Sequence, residues 1–180
     1  MSVQIDIQIA DDISESIEEP PPSHLLSAWA QAAWQGAVDA ESVLSLRIVS
    51  STESQNLNHQ YRGRNTATNV LSFPMQMEVL SGVEQHEDQL KMAQAILGDL
   101  AICAEVVARE AHQQNKSQQA HWAHMVVHGM LHLQGFDHIE DNEAQVMEQL
   151  ESRIMQQLGF SDPYLTNTSD LIEPSMMEKK

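Results

Sequence analysis

At 180 residues, with 42% hydrophobic and 19% charged side chains, the chain is long enough to bury one core and suits a single globular domain. Nine Lys and Arg stand against 26 Asp and Glu, a formal net charge of −17 that opposes non-specific attraction to nucleic acid or anionic membrane. Apolar runs all fall short of the about 18 residues of a membrane span, no basic-then-apolar leader opens the chain, and the single cysteine, Cys103, precludes an intrachain disulfide, so the expectation is a cytoplasmic protein with a reduced, buried thiol.

Residues 3–9 alternate apolar and polar and read as a half-buried strand, broken by an acidic stretch that ends in Pro20-Pro21-Pro22. Ser23 is placed to cap a helix to about Gln35, with Leu26, Trp29, Ala30, Ala33 and Trp34 as its apolar stripe. Val43 to Val49 reads as a second strand with Leu44, Leu46 and Ile48 on one face. Ser50 followed by Glu53 then resembles a capping box opening a helix to about Tyr61. After the polar loop 62–68, Asn69 to Phe73 is a third strand stopped by Pro74, and residues 81–89 read as an exposed loop. Ile96 to Ile102 is a fourth strand. Helices over 104–114, 118–134 and 141–158 follow, with Gly159 suited to the last C-terminus. Strands dominate the first half and helices the second, which predicts an α+β fold: one layer of mixed β-sheet packed with helices. Residues 1–160 form one metal-hydrolase domain on this reading, and 161–180 a flexible C-terminal tail.

His128 and His132 lie four apart on the helix over 118–134, so their rings stack on one face within reach of one ion. Gly135 can end that helix in a left-handed conformation, and the reversed chain can return His138 to the same metal. Three imidazoles leave a fourth tetrahedral position open, the arrangement of a catalytic zinc site, so one Zn2+ is expected at His128, His132 and His138. His121 and His124 extend the same stripe, and His124 with His128 forms a competing pair that has no return arm. Asp137, beside His138, either orients a ligand or moves a proton, or serves only to stabilise the turn.

The spacing also matches the zincin-like helix of metzincin peptidases, His-Glu-x-x-His-x-x-Gly-x-x-His, except that Gly129 stands where a peptidase carries its general base. Glycine offers no side chain and only lets a substrate or backbone come near, which disfavours peptide hydrolysis and favours metal-assisted phosphodiester cleavage. The cation for such a reaction falls in the one locally basic stretch, 59–64. Arg62 is its leading candidate and Arg64 a weaker one, with a solvated loop charge as the alternative.

At these residues the chain resembles the YbeY family of bacterial rRNA maturation factors, single-strand-specific metal-dependent endoribonucleases. The resemblance rests on four blocks in order: Leu57 to Arg62, Thr68 to Pro74, Leu97-Gly98-Asp99-Leu100, and His128-Gly-Met-Leu-His-Leu-Gln-Gly-Phe-Asp-His138. One departure is Ala67, where the family usually has proline, a change expected to loosen the loop. The resemblance implies zinc at the three histidines, a functional Arg62, and maturation of the small-subunit rRNA 3′ end together with ribosome quality control. It also implies single-stranded ribosomal RNA, small-subunit proteins and the GTPase Era as partners, and no membrane. Asp99 is read as structural in preference to supporting a ligand. Two other readings stay open: an assembly factor whose metal is mainly structural, and a hydrolase of another class such as a peptidase.

Overall fold

A computed structural model of the protein describes residues 2–15, 17, 19–36, 41–75, 96–136 and 141–165. The period-two patterns become strands β1 (Ser2–Ile9), β2 (Glu41–Val49), β3 (Val70–Pro74) and β4 (Ile96–Cys103). They form one sheet in the order β1-β2-β4-β3, with β1, β2 and β4 parallel and β3 antiparallel at one edge. The helices are α1 (Ser23–Ala33), α2 (Ser51–Arg62), α3 (Ala104–Gln113), α4 (Gln118–Leu133) and α5 (Asp141–Gln157). The mixed sheet with its helices is the α+β arrangement expected. The loop expected over 81–89 lies outside the described residues.

Alternation along the strands sorts side chains to two cores. Leu44, Leu46, Ile48, Leu100 and Ile102 join Trp29 of α1, Trp122, Val126 and Met130 of α4, and Met147 and Ile154 of α5 in the larger one. On the other face Val49, Leu71, Ala101 and Cys103 meet Val106, with Leu57 of α2 packed against them. Cys103 is fully buried, and burial pushes its thiol pKa up, so it behaves as a small apolar side chain.

Local signals agree with these boundaries, with two differences. The Ser50 hydroxyl accepts from the Glu53 amide at 3.2 Å as a capping residue should, but the Glu53 carboxylate turns to Arg47 at 2.6 Å instead of closing the box. Ser23 proves to be the first residue of α1. The cap is Pro22, which holds the extended conformation required there and makes no side-chain hydrogen bond. Trp29 is core, whereas Trp34 is only partly buried.

The β2–β4 register jumps between Val43↔Ile96 and Leu44↔Gly98, a bulge at Leu97. Gly98 has φ +131°, and a Cβ there would lie 2.2 Å from the Phe73 carbonyl oxygen, so the bulge and the approach of β3 both require glycine. Both sheet edges carry side-chain hydrogen bonds: Gln31 Oε1 accepts from the Val3 amide at 2.8 Å, and Arg62 Nη2 donates to the Ser72 carbonyl at 3.0 Å. Among the described residues no helix is long and apolar enough to cross a membrane.

Candidate metal centre

The candidate site is built on α4. Its N-terminus is capped by Ser117, whose hydroxyl accepts from the Ala120 amide at 3.2 Å. Its C-terminus closes in a Schellman arrangement: Phe136 N–H bonds to the Leu131 carbonyl at 3.1 Å, Gly135 N–H to the His132 carbonyl at 3.0 Å, and Gly135 has φ +87°. The left-handed glycine reversal expected after His132 is therefore present. Asp137 and His138, toward which it leads, lie outside the described residues.

Spacing of three, then four, then four puts His121, His124, His128 and His132 on one face of α4, with successive ring centroids 6.4, 6.2 and 4.6 Å apart. His128 Nε2 and His132 Nε2 lie 3.1 Å apart. Two nitrogens at 2.0–2.1 Å from a tetrahedral zinc would be separated by about 3.3 Å, so this pair already has the spacing that one ion demands.

Behind His128 stands Glu151 of α5, which the sequence reading missed. Its carboxylate is fully buried; Oε1 accepts from His128 Nδ1 at 2.7 Å and Oε2 accepts from the Tyr164 hydroxyl. Burial alone would raise the carboxyl pKa, but His124, His128 and Tyr164 outweigh it and hold the group at about 2. Burial and the same carboxylate push the Tyr164 hydroxyl pKa up, keeping it a donor. His124 Nε2 is 3.6 Å from Glu151 Oε2, too long for a hydrogen bond, and burial drives its pKa down toward the neutral ring. His124, His128 and Glu151 thus form a second group able to hold an ion, with ligand atoms within 4.8 Å of one another. That spread is wider than the His128–His132 pair. Glu151 is legible in retrospect: it falls four after Met147 and three before Ile154, on the inward stripe of an otherwise acidic helix.

Farther up α4, buried His121 donates through Nε2 to Glu110 of α3 at 2.8 Å, and Asn69 Nδ2 reaches the same carboxylate at 3.0 Å. These bonds hold the Glu110 pKa below its ordinary value, with the His121 bond the largest cause.

A cleft of about 660 Å3 runs between this helix and the third strand, and its lining includes Arg62, Arg64, Ser72, His128, His132 and Phe136. The structure therefore brings Arg62 into the same cleft as two of the expected ligands. Its guanidinium, besides capping Ser72, lies 5.6 Å from the centre of the Phe73 ring, which holds the side chain in place. The loop carrying Ala67 is tied to α2: Asn58 Nδ2 donates to the Thr66 carbonyl and the Ser54 hydroxyl to the Thr68 carbonyl, both at 2.8 Å. Gly129 faces the sheet. A Cβ there would lie 2.7 Å from Leu100 Cδ2 and 3.2 Å from Val70 Cγ2, so glycine lets the helix pack onto the sheet. Asp99 is exposed on β4, opposite Phe73, and is not among the residues lining the cleft.

Comparison with known proteins supplies a family for this geometry. The family model described as endoribonuclease YbeY matches residues 8–159. The solution structure of TM1509 from Thermotoga maritima superposes with a TM-score of 0.53 at 23% identity, covering 90% of this chain and 99% of that one; at this identity it speaks to the fold alone.

Proposed function

The chain belongs to the YbeY endoribonuclease family, and from that premise we propose that it is a zinc-dependent, single-strand-specific endoribonuclease of ribosomal RNA processing, acting at the small-subunit rRNA 3′ end and in ribosome quality control. The observation that carries the metal dependence is the 3.1 Å approach of His128 Nε2 to His132 Nε2 in a cleft that Arg62 also lines. His128, His132 and His138 would hold the ion, with His138 brought in by the turn at Gly135. Bound zinc supplies a Lewis acid and an activated water at neutral pH. Arg62, kept in place by Ser72 and Phe73, would hold a phosphate of the RNA backbone and offset the negative charge that develops during cleavage. Asp137 is assigned to orient His138 or to take up a proton. Unpaired RNA suits an open cleft of this size with two arginines among its lining residues. The surrounding acidity leaves docking to be assisted by partners, for which small-subunit proteins and the GTPase Era are the proposed cytoplasmic contacts.

The test is cleavage of an unstructured RNA by purified protein of measured zinc content. His132→Ala is expected to lose zinc and to fall to the level of a mock preparation. Arg62→Ala should keep zinc and lose cleavage by about 10²–10³-fold. Cleavage by His132→Ala equal to that of the wild type would overturn the reading.

A second reading is favoured by the partly buried His124–His128–Glu151 group: a structural ion there would fit an assembly factor. Zinc retained in His132→Ala but lost in His124→Ala would select it.

A further inference from the structure

We propose that Glu151 is a positioning residue, and not a metal ligand: it fixes the His128 ring so that Nδ1 carries the proton and Nε2 presents its lone pair toward His132. The inference rests on the reading of His128 as a ligand.

A carboxylate on the inward stripe of α5, level with Met147 and Ile154, sits where packing alone would place an apolar side chain. Its engagements account for it. Oε1 accepts from His128 Nδ1, which leaves the ring proton on that nitrogen. The opposite nitrogen is the one that stands 3.1 Å from His132 Nε2. Turning the ring over would set a carbon against the carboxylate and remove Nε2 from its partner, so a single hydrogen bond selects both tautomer and orientation. The other oxygen is occupied as well, by the Tyr164 hydroxyl. Tyr164 is itself anchored, since Asp162 Oδ1 accepts from its amide at 3.0 Å and from the Ser152 hydroxyl at 2.8 Å. Glu151 is fully buried and is not among the residues lining the cleft, so both of its oxygens are spent on the ligand and its support. The segment after α5, expected from the sequence to be loose tail, thereby contributes a hydroxyl that steadies the carboxylate.

The experiment uses the full chain with Glu151→Gln, a near-isosteric change that keeps the packing, and Tyr164→Phe. Zinc affinity by chelator competition is expected to fall about 10–100-fold in Glu151→Gln and by less in Tyr164→Phe, with the far-ultraviolet circular dichroism of the metal-free proteins unchanged. In metal-free wild type, 15N NMR should report His128 protonated at Nδ1. In Glu151→Gln it should report a mixture of tautomers. The visible spectrum of the cobalt-substituted variant should keep the wild-type band positions; a shift would make Glu151 a ligand and overturn the proposal. Unchanged affinity and tautomer in Glu151→Gln, beside wild-type binding that depends on His132, would overturn it alone. Wild type that binds no zinc, or binding indifferent to His132, would remove the underlying reading as well.

Discussion

Two glycines set how closely the elements around the cleft approach one another, and they differ in what surrounds them. At Gly98 a side chain would meet a backbone oxygen at 2.2 Å and would also be strained by the existing φ of +131°, and the clash cannot be relieved without moving β3. At Gly129 the obstacle is the flexible end of Leu100. Gly129→Ala is therefore expected to cost about 1–3 kcal/mol as an overpacked contact, and Gly98→Ala more than about 3 kcal/mol, which urea unfolding of the two variants would measure. Equal losses would contradict this account. The juxtaposition of His128 and His132 was legible from their spacing, because helix geometry alone places the rings together. Glu151 was not, since acidic residues on α5 read as solvent-facing until the burial of Met147 and Ile154 shows which side of the helix turns inward. For Gly129 the sequence left substrate and backbone as open alternatives for a related reason. A missing side chain says that something comes close, but not whether that neighbour is a substrate or the protein's own sheet.

Among the elements, the strands and helices were legible to within a few residues because most are bounded by local chemistry: Pro74 at the end of β3, Ser50 before α2, Ser117 before α4, and glycines at the ends of α2, α4 and α5. Sheet order was not, because alternation reports which face a strand buries but not which strand it pairs with; the β4 bulge likewise depends on a register that no local pattern states. One polar group joins elements distant in sequence: Glu110 of α3 accepts from His121 of α4 and from Asn69 before β3. Its pKa is depressed in the folded state, so the stability it provides is present above the unfolded carboxylate value of about 4.3 and is lost as pH falls through the lower folded value. Wild type should accordingly be more stable than Glu110→Gln at neutral pH, with the gap closing below about pH 4 in thermal denaturation followed across pH. A gap that widened toward acid would reverse the sign and refute the assignment.

Taken as a whole, the molecule carries a net charge of −17, yet the cleft beside α4 has two arginines in its lining. If Arg62 and Arg64 are the residues that meet RNA phosphates, log K against log salt should have a slope of only about −1.4, the value for two displaced counterions on a single strand. A slope steeper than about −4 would require a basic surface elsewhere and would place the RNA outside this cleft. The finish of the sheet has its own consequence. An open β-layer ordinarily offers each outer strand as a template for lateral accretion, by the route that leads to fibrils. Here one rim has its Val3 amide occupied by Gln31 and the other its Ser72 carbonyl occupied by Arg62, so a strand from a neighbouring molecule finds a hydrogen-bonding group already taken on either side. The same guanidinium that lines the cleft therefore also closes one pairing position on the β3 rim.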